Sequence, residues 1–202
     1  MNSNVLLYFV KYPEAGKVKS RLAKTVGDRE AARLYKELAE RNFQEIRLLS
    51  EKNVCDVIVA FDPPRGMENF EKWLSGARGY RPQCEGGLGE RLAEAFREAF
   101  QKGARRVMAL GSDTLGLTTG TLRQGFEALA AKDVVIGPAE DGGYYLIGSA
   151  SFQPKLFEGI AWSTSDVLPQ TYKTINNLRL SYQTLSQLQD LDEIKIVPTL
   201  SK

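Results

Sequence analysis

Short, continuous apolar runs alternate along the chain with longer segments in which apolar residues recur every three or four positions. Val5-Leu-Leu-Tyr-Phe-Val10, Val54 to Phe61, Val107 to Leu110 and the apolar centre of Asp133-Val-Val-Ile-Gly-Pro138 are of the first kind. They are too short for helices and predict buried strands. Between them, Ala31, Leu34, Tyr35, Leu38, Phe43, Ile46 and Leu49 mark a long amphipathic helix over residues 29–49. Leu88, Leu92, Ala95, Phe96, Ala99 and Phe100 mark a second, stopped by Gly103, and Leu122, Phe126, Leu129 and Ala130 a third. Phe70, Trp73 and Leu74 predict a short helix, and a short strand follows near Arg81.

Strand and helix in alternation imply a parallel sheet, right-handed crossovers and helices on both faces. Gly137 to Gly148 interrupts the rhythm, because Gly142-Gly143 leads at once into Tyr144-Tyr-Leu-Ile147 with no room for a crossover helix. That strand should run antiparallel or sit apart. Ser163-Thr-Ser-Asp166 fits a capping box for a further helix, with Pro169 blurring its start, and Leu180 to Leu185 reads as a last strand. The expectation is one α/β domain over residues 1–202, with a mostly parallel sheet of about seven strands, one of them antiparallel, between helix layers.

Composition narrows the chemistry. The 202 residues are 43% hydrophobic and 26% charged, with a formal net charge of +2, as in a globular protein without a nucleic-acid-binding surface. No apolar run reaches the length of a membrane span, and Met1-Asn-Ser-Asn4 does not begin a signal peptide, so the expected location is the cytoplasm. Cys55 and Cys84 lie outside any ligand-spaced motif and read as reduced thiols. The absence of histidine excludes a histidine base, a His-containing triad and the usual zinc sites. Carboxylates, cations and a metal remain.

Three stretches offer that chemistry. The strand Val107 to Leu110 ends in Gly111-Ser-Asp113, and ligands of open α/β sheets bind beyond the carboxyl ends of strands. Asp113 is therefore either a ligand of a divalent cation that holds a nucleotide diphosphate or a cap of the next helix. The loop after the first strand carries Lys11, Lys17, Lys19 and Arg21 around Gly16. It suits a phosphate chain, although it lacks the Walker pattern and a solvated basic turn would look the same. Gly86, Gly87 and Gly89 open a helix, either to expose N–H groups to a ligand or only to let the chain turn.

Lys11-x-Pro-x-x-Gly-Lys-x-Lys-Ser-Arg-Leu22, Gln83-x-x-Gly-Gly-Leu-Gly-Glu-Arg91, Gly111-Ser-Asp-Thr114, Gly137 to Gly148 and Trp162-Ser-Thr164 occur in this order along nearly the whole chain. Together they resemble the bacterial GT-A-like nucleotide-diphospho-sugar transferase family. That family is similar in fold to sugar-1-phosphate nucleotidyltransferases and to the molybdopterin and phospholactate guanylyltransferases. The resemblance implies a three-layer α/β/α GT-A fold and a Mg²⁺ or Mn²⁺ cofactor. It implies that Lys11, Gly16, Lys17, Lys19 and Arg21 hold phosphates, that Gln83, Gly86, Gly87 and Arg91 border the nucleotide, and that Asp113 and Asp192 bind the metal. Asp141, Gly142, Gly143, Tyr144 and Trp162 would face sugar or acceptor, with Asp113 and Asp141 the catalytic carboxylates. Ser20, Leu115 and Glu193 stand where the family more often has Thr, Pro and Thr, and Leu115 leaves Asp113 outside any Asp-x-Asp pair.

Three activities fit. The first is transfer of a sugar from a nucleoside-diphosphate sugar to a small acceptor. The second is nucleotidyl transfer from a nucleoside triphosphate to a phosphorylated small molecule, with release of pyrophosphate. The third is nucleotide binding without catalysis. Base, sugar, acceptor and oligomeric state are not legible in the residues.

Overall fold

The computed structural model describes residues 2–191. Strand β1 (Asn4–Lys11) leads through helices α1 (Ser20–Val26) and α2 (Asp28–Glu51) to β2 (Asp56–Asp62). Helix α3 (Met67–Trp73), strand β3 (Gly79–Pro82), helix α4 (Leu88–Gln101) and strand β4 (Arg106–Gly111) follow. Beyond them come β5 (Thr114–Leu115), α5 (Thr119–Ala128), β6 (Val134–Pro138), β7 (Tyr144–Ser149), a 3₁₀ turn at Pro154–Phe157, α6 (Val167–Asn177), β8 (Tyr182–Thr184) and β9 (Gln189–Asp190).

Seven strands form one sheet in the order β3-β2-β1-β4-β7-β6-β8. All run parallel except β7, which is antiparallel to both β4 and β6. The central runs are continuously apolar because each strand is covered on both sides. In β1, Leu6, Tyr8 and Val10 enter the core under α2, α3 and α5, while Val5 and Leu7 enter the core under α4, the 3₁₀ turn and α6. In β4, Met108 and Leu110 divide from Val107 and Ala109 in the same way. The strand order reverses between β1 and β4, which opens a crevice beyond their carboxyl ends where this architecture takes ligands.

Several boundaries depart from expectation. Strand β2 starts at Asp56, because the Val54 N–H closes the end of α2 on Leu49 O at 3.0 Å. Helix α1 lies in what reads as loop: it is too short to show a period, and of its residues Leu22 alone is buried, packed with Ala31, Leu34, Leu38 and Leu191. The helix expected from Ser163 begins instead at Val167, and Ser163 has the left-handed φ of 65°. Thr164 Oγ1 donates to Ala161 O and accepts the Asp166 N–H, so these residues form a turn rather than a capping box. Leu88 heads α4 but is 43% exposed, and it lines the crevice instead of the core stripe. The paired strands β5 and β9 are each two residues long, below what an apolar pattern can show.

Candidate active site

The crevice is a cleft of about 850 Å³ at the carboxyl ends of β1 and β4, within the range of small-molecule sites. One wall is the loop after β1, where Gly16 takes a left-handed φ of 79° and Lys19 one of 50° just before α1. This winding brings Lys11, Lys17, Lys19 and Arg21 to the same wall. Opposite stands Asp113, two residues past β4. Its Oδ2 accepts from Lys19 Nζ at 2.5 Å, with the lysine side chain 8% exposed and the aspartate 34%. The aspartate is thus the partner of a cation, and Thr118, not Asp113, caps α5 through Oγ1 to the Thr121 N–H at 3.1 Å.

Helix α2 fixes both loops from behind. Tyr35 OH accepts the Lys11 N–H at 2.9 Å and lies 2.8 Å from Ser112 Oγ. Burial pushes its phenol up to about 12, so it stays protonated. One turn further, Tyr8 OH reaches from β1 to Ala39 O at 2.8 Å. Asn42, 2% exposed, donates Nδ2 to Ser112 O at 3.3 Å and to Thr114 O at 2.9 Å.

At the β3 end, Gln83 Nε2 donates to Ala60 O at 2.9 Å and its Oε1 accepts from Arg91 Nη1 at 3.3 Å. Arg91 also meets Asp62 at 3.3 Å and donates Nε to Gly86 O at 2.9 Å. Gln83 thereby orients Arg91 on the cleft wall. The free N–H groups expected at the glycine turn are not all free, since the Gly87 N–H is held by the Glu90 carboxylate at 2.7 Å. Gly89 serves close packing: a Cβ there would lie 2.6 Å from both Phe157 O and Trp162 Nε1.

The far side is the β6–β7 loop. Asp141 lines the cleft and its Oδ1 accepts the Gly143 N–H at 2.8 Å. Gly142 has φ +90°, and a Cβ on it would come within 2.6 Å of Ser165 Cα and O. The Leu168 N–H bonds Gly142 O at 2.9 Å, so the loop is fastened to the segment whose Ser163, Thr164 and Ser165 complete the wall.

The structure therefore gathers Lys11, Lys17, Lys19, Arg21, Gln83, Gly86, Gly87, Arg91, Asp113 and Asp141 around one cleft. Gly16, Gly142, Gly143, Tyr144 and Trp162 stand outside its wall. Tyr144 packs edge-to-face on Trp162 at 6.2 Å, burial raises its phenol, and its OH has no hydrogen-bond partner among the described residues. Trp162 lines a second cavity of about 470 Å³ that shares Gly87 with the first. Asp192 lies outside the described residues. Tyr35 and Asn42 escape a motif reading, while Ser112 and the Ser163 to Ser165 hydroxyls sit in the quoted motifs without having been assigned to the cleft. The one available signal is Asn42, a polar residue seven positions after Tyr35 on an otherwise apolar helix face.

Among the described residues, no group of three or more His, Cys, Asp or Glu side chains could hold a metal ion by itself. Asp113 in a cationic cleft fits a hard divalent ion that keeps waters and is completed by substrate phosphates, which is how Mg²⁺ is commonly bound.

A mixed sheet of this order, with a basic loop after its first strand and a carboxylate past its fourth, has the α/β fold of GT-A nucleotide-sugar transferases. More closely, the chain belongs to the bacterial family described as "Uncharacterized protein conserved in bacteria (DUF2064)", whose sequence profile matches residues 45–164. A protein of Desulfovibrio desulfuricans G20, provisionally named a nucleotide-diphospho-sugar transferase, is 36% identical over 96% of this chain and 84% of its own, with a TM-score of 0.89. Glucosyl-3-phosphoglycerate synthase of Mycobacterium tuberculosis, in complex with Mn²⁺, UDP and glucosyl-3-phosphoglycerate, shares the fold at 12% identity. That alignment covers 93% of this chain and 70% of the synthase, with a TM-score of 0.59. The inositol-1-phosphate CTP transferase of T. maritima shares it at 11% identity over 98% and 92% of the two chains, with a TM-score of 0.57. A search of curated protein sequences finds no match. No helix among the described residues is long and apolar enough to cross a membrane.

Proposed function

We propose that the protein is a metal-dependent transferase that binds a nucleoside-diphosphate sugar in this cleft and passes the sugar to a small acceptor. The observation that carries this reading is the juxtaposition of Asp113 with the basic loop across one cleft. Lys11, Lys17, Lys19, Arg21 and Arg91 face it against the carboxylates Asp113 and Asp141, an excess of cations suited to a diphosphate. The name carried by the D. desulfuricans relative supports sugar transfer, and the Mn²⁺ and UDP of the mycobacterial synthase support a divalent ion with a diphosphate.

Asp113 would hold Mg²⁺ or Mn²⁺. The ion supplies charge neutralisation of the leaving diphosphate. Lys17 and Arg21 neutralise the remaining phosphate oxygens, and Arg91, oriented by Gln83 and Asp62, borders the nucleotide. Asp141, held in a turn by the Gly143 N–H, takes the acceptor's hydroxyl proton as the acceptor oxygen bonds to the anomeric carbon and the sugar–phosphate bond breaks.

The test is incubation with Mn²⁺ and individual nucleoside-diphosphate sugars plus an acceptor pool, followed by release of the nucleoside diphosphate. Release that is abolished in Asp113→Asn is expected. Pyrophosphate formed instead from a nucleoside triphosphate and a phosphorylated acceptor establishes nucleotidyl transfer in its place. Nucleotide binding that ignores metal, with neither product formed, leaves a non-catalytic module.

A further inference from the structure

Beyond Gly111 the backbone leaves the seven-stranded sheet, and the carbonyls of residues 112–114 have no partner in it. Each is nevertheless satisfied. Ser112 O and Thr114 O accept from Asn42 Nδ2, and Asp113 O accepts from the Leu191 N–H at 2.9 Å. Two turns earlier on the same buried face of α2, Tyr35 binds the Lys11 N–H and Ser112 Oγ at once. A single rigid helix thus holds the start of the basic loop and the loop that bears Asp113. A side-chain amide with two carbonyl acceptors fixes position as well as separation, and burial prevents water from substituting for it.

We infer that Tyr35 and Asn42 are positioning residues that set the carboxylate of Asp113 against the phosphate-binding loop. The inference rests on the proposed role of Asp113 as metal ligand. Tyr35 lines the cleft, but its hydroxyl and the Asn42 Nδ2 are committed to Lys11, Ser112 and Thr114. Their effect should therefore be larger where metal and phosphate are bound together than where phosphate is bound by cations alone.

The experiment uses pyrophosphate as a probe that does not depend on the base, titrated calorimetrically into the full chain with Mg²⁺ and with EDTA. Asn42→Leu preserves shape and removes the amide; Tyr35→Phe removes one hydroxyl and keeps the ring in the core. The wild type should bind pyrophosphate more tightly with Mg²⁺. Each variant should lose about 10- to 100-fold of the Mg²⁺-dependent affinity, with affinity in EDTA within about twofold of wild type for Asn42→Leu and, because Tyr35 also holds the Lys11 N–H, a clearly smaller loss in EDTA than with Mg²⁺ for Tyr35→Phe. A loss of equal size with and without Mg²⁺, or unaltered enhancement in both variants, overturns the inference and leaves the metal reading standing. Absence of enhancement in the wild type defeats the metal reading and the inference together. Should Asn42→Leu not fold, Tyr35→Phe carries the same comparison.

Discussion

Lys19→Met probes the contact at the centre of the cleft. The lysine ammonium sits on Asp113 at 2.5 Å, so a divalent ion held by Asp113 as proposed would have to displace it. Two unit charges 4 Å apart interact by about 4 kcal/mol at an effective dielectric constant of 20, but that gross figure must be reduced by desolvation and screening. The lysine is 8% exposed and the aspartate 34%. The pair therefore falls between exposed bridges worth about 0–1 kcal/mol and buried ones whose disruption costs about 3–5 kcal/mol. A net cost of about 1–3 kcal/mol for displacement corresponds to about 5- to 150-fold in metal affinity. Lys19→Met should tighten Mn²⁺ binding to the ligand-free protein by that factor, read from the loss of the free-ion signal in electron paramagnetic resonance. Because the same lysine lines the cleft proposed to take the diphosphate, pyrophosphate binding in EDTA should weaken. Mn²⁺ affinity that is unchanged or lower in Lys19→Met refutes the view that lysine and metal share Asp113.

Gly142→Ala combines a left-handed φ with a Cβ 2.6 Å from Ser165 backbone atoms, so it should destabilise the fold by about 1–3 kcal/mol in urea unfolding. An unchanged midpoint would mean that the two loops separate freely. Burial pushes the Cys55 thiol from its ordinary 9.0 up to about 12. A folded value above the unfolded one stabilises the native state below about pH 9 and is lost as pH rises through about 12. Stability should therefore fall more steeply between those values in the wild type than in Cys55→Ala, and Cys55 should resist alkylation in the native protein while the half-buried Cys84 reacts.

The layered sheet was legible because β1 and β4 are apolar on both faces, and the reversed strand β7 because Gly142-Gly143 leaves no length for a crossover. Helix α1 was not, since Leu22 is its one buried residue and its support comes from α2. At the site, the charges of the basic loop and Asp113 announced themselves by type, and Lys19 was expected to bind phosphate. Its pairing with Asp113 depends on the left-handed turn at Lys19 that points it back across the cleft, which no spacing encodes. Trp162 sits in a conspicuous motif and nevertheless lines the neighbouring cavity, because Gly89 admits its indole against α4. Asn42 was legible only as an exception within an apolar stripe.

The reversal of β7 has a consequence for how such a protein can change. Residues 139–143 form the short bend of a hairpin whose two arms pair from Val134 opposite Ser149 to Pro138 opposite Tyr144, with one register shift between Gly137 and Pro138. The basic loop, by contrast, continues into two helices before the chain returns to the sheet. The segment that carries Asp141 is therefore a local module: it can be lengthened, shortened or exchanged without re-threading any crossover, while the half that carries the basic loop stays as it is. Diversity of partner molecules among relatives should accumulate in that bend and in the Ser163 to Ser165 turn fastened to it, leaving the helix behind Asp113 and Lys11 as the invariant beam.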